Sequence, residues 1–297
     1  MSADGQGDRA VDAFVSHRNL LFTVAYEMLG SAADAEDVLQ ETWLRWADAD
    51  LATVRDQRAY LVRIATRLSL NRLRAVARRR ESYVGSWLPE PLLTAPDVAD
   101  DVELAESVSM AMLLVLETLA PTERAVFVLR EVFDLGYDEI AEAVDKSPAA
   151  VRQIAHRARA HVAARRQRGM VSSADTRRAL DAFRLAVETG DVQGLLDVLA
   201  PDVVLLGDGG GIKQAVLRPV AGADKVARLL CSTHARTATM SLHHAQVNGH
   251  PALILRLDGA VDTVLALRID DGLISGVYAV RNPEKLSHMR SETALRR

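Results

Sequence analysis

The segment from Tyr137 to Val162, YDEIAEAVDKSPAAVRQIAHRARAHV, predicts two short helices joined by a tight turn. Ser147 is a good helix N-cap and Pro148 suits the first position of a helix, so the second helix should begin there. Asp145 stands in the turn, where Asp tolerates a left-handed backbone better than most residues. Apolar residues recur at helical spacing along the second helix, at Val151, Ile154, Ala155, Ala158 and Val162.

The opposite face of this second helix is polar and basic. Residues 146–168 contain seven Lys or Arg and no Asp or Glu. Arg and Gln can bond to base edges in the major groove, and further Arg side chains can hold phosphates. Two short helices with a basic outer face are typical of a DNA-binding helix-turn-helix. The alternative interpretation is a basic, solvent-exposed helix in an ordinary helical bundle. The candidate DNA contacts here are Ala149, Arg152, Gln153, His156, Arg157 and Arg159.

A second basic block precedes it. Residues 55–80 carry a charge of +8 and residues 146–168 carry +7, whereas residues 1–54 carry −7 and residues 81–145 carry −13. The net charge of −4 does not suggest nucleic acid, but two basic blocks inside an acidic chain indicate local contact with DNA.

The first basic block predicts a long helix from Gln57 to Arg80. Leu61, Ile64, Ala65 and Leu68 should face a core, while Leu70 falls on the opposite side among arginines. Arginines bind the DNA backbone by releasing its counterions, and a membrane-surface helix is the weaker alternative. The candidate DNA contacts on this helix are Arg63, Arg67, Asn71, Arg74, Arg78 and Arg79.

The N-terminal region predicts one or two helices over Val11–Leu29, ended by Gly30. Asp34 is expected to cap the next helix, whose apolar side consists of Val38, Leu39, Thr42, Trp43 and Trp46. Asp37, Gln40, Glu41 and Leu44 form a stripe on the other side. A leucine among polar residues on a solvent face suggests a partner surface, although a single exposed leucine is also common.

Composition excludes several classes of protein. With 297 residues and 49% hydrophobic content, the chain can hold two or three globular units. The one cysteine, Cys231, excludes an internal disulfide framework. We find no membrane-span pattern, signal-peptide pattern or metal-ligand spacing, and expect a cytoplasmic protein without metal or cofactor.

From Ser172 onward the pattern changes to helices followed by strands. The helices expected are Asp175–Glu188, Asp191–Leu199 and Gly222–Cys231. The strands expected are Val203–Leu206, Ala215–Arg218, Thr239–His244, Ala252–Leu257, Val261–Ile269 and Leu273–Val280. The hairpin turns expected are Asn248-Gly249, Asp258-Gly259 and Asp271-Gly272. Helices on a curved antiparallel sheet give an α+β domain with a cavity. His243, His244 and His250 have no identifiable catalytic partner, which favours a small-molecule pocket over catalysis.

Three stretches together resemble an extracytoplasmic-function sigma factor of bacterial RNA polymerase. They are DAEDVLQETWLRW (34–46), AYLVRIATRLSLNRLRAVARRR (59–80) and LAPTERAVFVLREVFDLGYDEIAEAVDKSPAAVRQIAHRARAHV (119–162). The resemblance implies that the first binds polymerase, through Asp37, Gln40, Glu41 and Leu44. It implies that the second melts the promoter and recognises its −10 element, and that the third recognises the −35 element.

Three further motifs resemble the subgroup of these factors that has a fused C-terminal SnoaL-like domain. They are WLPEP (87–91), DGGG (208–211) and NPEKL (282–286), with Ile212 intervening before Lys213 and Glu284 in place of an Asp. We expect them to form a regulatory contact between domains. The candidate residues are Trp87, Leu88, Pro89, Glu90, Pro91, Asp208, Gly209, Gly210, Gly211, Lys213, Asn282, Pro283, Glu284, Lys285 and Leu286.

The fold expected is multi-domain: two all-α sigma domains, the second with the helix-turn-helix, and a C-terminal α+β SnoaL-like cone. The domains expected are region two (1–83), the linker (84–106), region four (107–168) and the SnoaL-like domain (172–297). The implied partners are the polymerase core, through its β′ clamp helices and β flap, promoter DNA, and a small molecule in the cone. The function expected is promoter-specific initiation regulated by the C-terminal domain. The alternative is an isomerase or cyclase-type enzyme with a helical DNA-binding appendage.

Overall fold

The computed structural model describes the backbone of residues 3–80, 83–95, 98, 101–165, 173–234, 240–287, 289 and 292–296. The first domain consists of three helices, α1 (Ala3–Leu29), α2 (Ala32–Ala47) and α3 (Gln57–Arg80), with a short 3₁₀ turn at Leu51–Thr53. The predicted one or two N-terminal helices are a single helix, which ends at Gly30 with a φ of +66°. No described helix is long and apolar enough to cross a membrane.

The packing of α2 and α3 follows the predicted periodicity, with two corrections. Ser31, not Asp34, is the N-cap of α2, because its side chain accepts the Asp34 N–H at 3.2 Å. The prediction that Leu70 faces outward is wrong, because Leu70 is buried in the core. On a long helix packed on two sides, the apolar stripe is wider than a single row of residues.

The second domain contains α4 (Val102–Val108), α5 (Met110–Leu116), α6 (Pro121–Phe127), α7 (Tyr137–Val144) and α8 (Pro148–Ala163). A π-helical turn at Val128–Val132 continues α6. One continuous apolar core joins this domain to the first, because α3 packs against both α6 and α7. The linker between the domains forms neither helix nor strand over residues 83–92, and Pro89 and Pro91 fix the backbone there.

The C-terminal domain has helices α9 (Ser173–Thr189), α10 (Val192–Val198) and α11 (Ala223–His234). Its strands are β1 (Leu199–Asp208), β2 (Val220–Ala221), β3 (Met240–Val247), β4 (His250–Leu257), β5 (Ala260–Asp270) and β6 (Leu273–Val280). Within the described residues they form a six-stranded sheet in the order β2-β1-β6-β5-β4-β3. The helices pack on one face of the sheet around a second apolar core, and the linker lies on the other face. The α+β fold predicted for this domain is therefore confirmed.

Two details of the predicted sheet are wrong. Residues 215–218 are not a strand; the short strand of that region is Val220–Ala221. The sheet is also not wholly antiparallel, because β1 runs parallel to β6. The connection from β1 to β6 is long enough to bring the chain back in the same direction, which turn signals alone do not show.

Candidate DNA, polymerase and interdomain surfaces

The helix-turn-helix is built as its sequence predicts. Asp145 adopts a left-handed conformation with a φ of +55° and ends α7. The Ser147 hydroxyl accepts the Ala150 N–H at 3.2 Å, and Pro148 is the first residue of α8. The five residues of the predicted apolar stripe are all buried. This packing fixes which face of α8 points outward.

The outward face of α8 carries every candidate DNA contact of that helix. Ala149, Arg152, Gln153, His156, Arg157 and Arg159 are all exposed. Arg159 is held by Glu131 at 2.6 Å, and the Arg157 guanidinium lies 3.9 Å from Glu123. Arg152 lies over the Tyr137 ring. The acidic partners hold Arg157 and Arg159 near the helix surface, and a DNA phosphate would have to compete for both side chains.

The candidate contacts on α3 are partly occupied by the second domain. The Arg63 guanidinium lies 2.9 Å from the Glu142 carboxylate, and Arg67 donates to the Glu142 carbonyl at 2.8 Å. Glu142 belongs to α7, the first helix of the helix-turn-helix. Asn71 and Arg74 are exposed, whereas the side chains of Arg78 and Arg79 lie outside the described residues. Two of the predicted phosphate contacts thus face a protein carboxylate and carbonyl in this arrangement.

The candidate polymerase stripe lies on the exposed face of α2. Asp37, Gln40, Glu41 and Leu44 are all exposed, and 64% of the Leu44 side chain is accessible. Asp37 pairs with Arg72 of α3, and Glu41 pairs with Arg45 at 2.7 Å. Leu44 is the one apolar member of this stripe.

A clamp forms where the C-terminal domain meets the linker, and its centre is the fully buried Asp208. The Asp208 carboxylate accepts the Leu88 N–H at 2.9 Å and the Tyr83 hydroxyl at 2.6 Å, both from the linker. It also accepts the Gly210 N–H at 3.0 Å and pairs with Lys285 at 2.7 Å. Burial and the adjacent Asp208 raise the pKa of Tyr83, so its hydroxyl remains a donor.

Lys285 and Asn282 complete the clamp from the NPEKL segment. Lys285 donates to the Leu88 carbonyl at 2.5 Å, and its ammonium lies 4.2 Å from the centre of the Trp87 ring. Asn282 donates to the Tyr83 hydroxyl at 3.0 Å. A cation over an aromatic face in a partly buried site adds to the attachment. The predicted regulatory segments WLPEP, DGGG and NPEKL therefore lie together.

Within NPEKL, Pro283 and Glu284 are exposed and Leu286 is buried against the sheet. The glycines shape the DGGG loop: Gly209 has no room for a side chain beside the Lys213 carbonyl, and Gly210 and Gly211 have φ values of +64° and +73°. Lys213 forms no hydrogen bond or ion pair with the linker residues that the structure describes. It pairs with Asp262 at 2.7 Å, away from the clamp.

The second half of WLPEP is attached to the first domain. The buried Glu90 carboxylate accepts the Ala32 N–H at 2.5 Å, at the N-terminus of α2. Its backbone N–H donates to the Gly30 carbonyl at 2.8 Å, and its carbonyl accepts the Tyr26 hydroxyl at 2.6 Å. A carboxylate at a helix N-terminus is stabilised by the helix dipole. Leu88, Pro89 and Pro91 are buried.

Asn248 of the C-terminal domain contacts both helical domains and the linker. It lies in the β3–β4 hairpin with a φ of +54°, and it is 1% exposed. Its amide donates to the Tyr26 hydroxyl at 2.6 Å and to the Val108 carbonyl at 2.9 Å, and accepts the Leu92 N–H at 3.0 Å. The next residue, Gly249, leaves no room for a side chain, since a Cβ would lie 2.7 Å from the Ala105 Cα.

A buried arginine and a buried glutamate lie where the two helical domains meet. Arg124, 2% exposed, donates to the Glu27 carbonyl at 2.9 Å and pairs with Glu117. The Glu27 carboxylate accepts the Ser107 hydroxyl at 2.7 Å, and burial raises its pKa to about 8. Buried polar groups of this kind favour one specific arrangement of the two domains.

The histidines of the C-terminal domain have partners that the sequence did not indicate. His243 lies 3.0 Å from the Ser241 hydroxyl, and His244 pairs with Asp181 at 2.9 Å. The Nε2 atom of His250 lies 3.0 Å from the Ala105 carbonyl oxygen. Each histidine therefore has a structural contact of its own, and they do not form one cluster.

A basic helix-turn-helix domain joined to a three-helix domain with a second basic helix defines a sigma-type transcription initiation factor. Residues 13–80 match the family model for sigma-70 region 2, and residues 109–162 match that for sigma-70 region 4. The chain belongs to the ECF RNA polymerase sigma factors: it is 34% identical to SigJ of Mycobacterium tuberculosis across 93% of either chain.

Other comparisons agree. The probable ECF sigma factor SigI of M. tuberculosis is 34% identical over 97% of this chain and 98% of its own. The crystal structure of M. tuberculosis SigJ matches 94% of this chain and 98% of its own, with a TM-score of 0.76 and 34% identity. These relatives span the C-terminal domain as well, and they are named as sigma factors rather than as enzymes.

Three residues important to these surfaces are not indicated by the sequence: Tyr83, Glu142 and Asn248. The Asn248-Gly249 pair predicts only a hairpin turn, because two of the partners of Asn248 are 140 and 222 residues away in the chain. Tyr83 lies beyond the end of a predicted helix, where no pattern marks it. Glu142 cannot be distinguished by sequence from any other solvated acid on the first helix of a helix-turn-helix.

Proposed function

We propose that this cytoplasmic sigma factor directs RNA polymerase to a specific set of promoters and that its C-terminal domain controls this activity by holding the two sigma domains closed. The observation that carries the proposal is the clamp around Asp208: a buried carboxylate of the C-terminal domain binds the linker between the two DNA-contacting domains. A tethered domain needs only weak contacts to act, since its local concentration is high.

The closed arrangement also affects the DNA contacts. Glu142 takes positions near Arg63 and Arg67 that a DNA phosphate would otherwise take. Release of the linker would let region four move away from α3 and free these arginines for the −10 element, while α8 contacts the −35 element. Electrostatic competition of this kind is a simple means of coupling domain opening to DNA binding.

Polymerase contact is assigned to α2. Its stripe combines an exposed leucine with the polar and acidic side chains of Asp37, Gln40 and Glu41, which suits a partner with a basic, partly apolar surface. We assign this stripe to the β′ clamp helices of polymerase and region four to the β flap. The enzyme alternative draws no support from the relatives, and an isomerase or cyclase needs no pair of basic DNA-contacting helices.

Leu44→Asp should abolish promoter-specific run-off transcription with purified polymerase core, because it places a charge at the one apolar residue of the proposed core-binding stripe. Core affinity, measured by fluorescence anisotropy, should fall by about tenfold or more. Leu185→Asp is the matched control: Leu185 is 58% exposed on α9 of the C-terminal domain, and its variant should keep both properties. Normal assembly of the Leu44 variant would contradict the assignment of the stripe.

Arg152→Ala should change which base is preferred at one position of the −35 element, because Arg152 is exposed at the start of α8 and suited to a bidentate base contact. The cost for the preferred sequence should be about 1–3 kcal/mol. Arg165→Ala should weaken all promoters alike. The affinity of each variant for a library of single-base promoter variants measures both effects. A uniform loss of affinity in the Arg152 variant would show that Arg152 contacts a phosphate rather than a base.

A further inference from the structure

The cone of the C-terminal domain encloses a cavity of about 380 Å³ between the sheet and helix α11. Most of its lining is aliphatic, including Leu205, Leu230, Leu255 and Leu265, with Met240 at one end. None of the described lining residues is aromatic. The size is at the small end of ligand pockets, and the lining suits an aliphatic molecule better than a flat ring system that would need stacking.

Charged groups meet at one side of this cavity. Asp262 and Arg281 line it, and Arg281 donates to Asp262 at 2.9 Å and to the Gln214 carbonyl at 2.5 Å. Lys213 binds the other Asp262 oxygen at 2.7 Å. Although burial opposes ionisation of Asp262, the hydrogen bonds from Lys213, Thr263 and Arg281 hold its pKa below the usual value. Two cations against one anion leave an excess positive charge beside an apolar cavity, which attracts an anionic headgroup.

One residue connects this cavity to the clamp. The side chain of Arg281 lines the cavity, while its backbone N–H donates to the Asp208 carbonyl at 2.7 Å. Asn282, the next residue, donates to the same carbonyl at 2.9 Å and, through its side chain, to the linker residue Tyr83. Lys213 connects from the other side, since it ends the loop that begins at Asp208. Movement of either cation is therefore transmitted to the residue that holds the linker.

We infer that the cone cavity binds a small aliphatic carboxylate, whose headgroup is received by Arg281 and whose binding loosens the hold of Asp208 on the linker. The inference rests on the proposed control by the C-terminal domain and adds the class of ligand and the route of its action. A carboxylate would compete with Asp262 for Arg281, and the arginine fork matches it in a bidentate manner. A ligand shifts the clamp only to the extent that it binds the loosened form more tightly.

Decanoate is the probe for the site, measured by isothermal titration calorimetry on the full-length protein. We expect one saturable site with a Kd on the order of 100 µM or tighter. Decanol and decylamine have the same chain with a neutral and a cationic headgroup, and should bind about tenfold more weakly or worse. Equal binding of either would overturn the headgroup assignment, and the absence of saturable decanoate binding would overturn the site.

Ala279→Phe tests whether decanoate binds in this cavity. Ala279 lines the cavity and is only partly buried, so a phenyl ring there should fill the space without displacing a core side chain. This variant should lose decanoate binding. Ala221→Phe adds the same ring at an exposed position of β2, opposite Val204, and should keep decanoate binding because neither residue lines the cavity. Circular dichroism of both checks the fold, and retained binding in the Ala279 variant would place the ligand elsewhere.

Hydrogen exchange of the linker tests the coupling. Decanoate should speed exchange in peptides covering residues 83–92, where the Leu88 N–H donates to Asp208. It should do so in the Ala221 variant but not in the Ala279 variant. Binding without any change in exchange would overturn the coupling. These readouts need no polymerase, so a failed ligand test and a failed transcription test are distinguishable.

Discussion

Replacing Asp208 with alanine is expected to detach the linker from the C-terminal domain. The carboxylate is fully buried and has four partners, and its loss leaves the Lys285 ammonium, 12% exposed, without this anion. Breaking a buried ion pair by removing one partner costs about 3–5 kcal/mol. Hydrogen exchange over residues 83–92 should therefore become much faster, and transcription from the cognate promoter should increase.

Two variants make the result specific to the clamp. Asp202→Ala removes an exposed carboxylate from the same strand and should change neither exchange nor transcription. Lys285→Met combined with Asp208→Ala removes both charges, and should destabilise the domain less than Asp208→Ala alone. Fast linker exchange with unchanged transcription would show that the clamp exists but does not limit initiation, which contradicts its regulatory role.

The elements of this fold were predictable where the pattern is local. The boundary of α8 followed from Ser147 and Pro148, and its buried stripe from spacing, because capping and periodicity act within a few residues. The three hairpin turns of the C-terminal domain followed from Asn-Gly and Asp-Gly pairs for the same reason: Asn248, Asp258 and Asp271 all have positive φ values.

What could not be predicted depends on contacts between distant segments. Leu70 is buried because α3 packs on two sides, and the parallel pairing of β1 with β6 depends on the path of the whole domain. The resemblance to a known family indicates the candidate regulatory segments, but it does not indicate which residue each segment contacts. Lys213 is an example. Its position in the chain predicts that it belongs to the interdomain contact, whereas in the structure it pairs with Asp262 beside the cavity.

The attachment of the C-terminal domain should also depend strongly on Asn248. Asn248→Gly removes the side chain while keeping a residue that accepts a positive φ, so backbone strain does not contribute. It leaves the Tyr26 hydroxyl, the Val108 carbonyl and the Leu92 N–H without their amide partner in a buried site. Because an unsatisfied buried group costs about 1–3 kcal/mol, the total should be about 4 kcal/mol.

Asp271→Gly is the matched control, since it alters the same position of an equivalent hairpin turn. Asp271 has a φ of +51° and is exposed, and a Cβ added to the following Gly272 would have open space around it. Urea unfolding should show a large loss of stability for Asn248→Gly and a change within about 0.5 kcal/mol for Asp271→Gly. Similar small losses in both variants would mean that Asn248 acts only as a turn residue and that the domain is held by the Asp208 clamp. A large loss restricted to Asn248→Gly would identify the hairpin as the joint that fixes both sigma domains to the C-terminal domain.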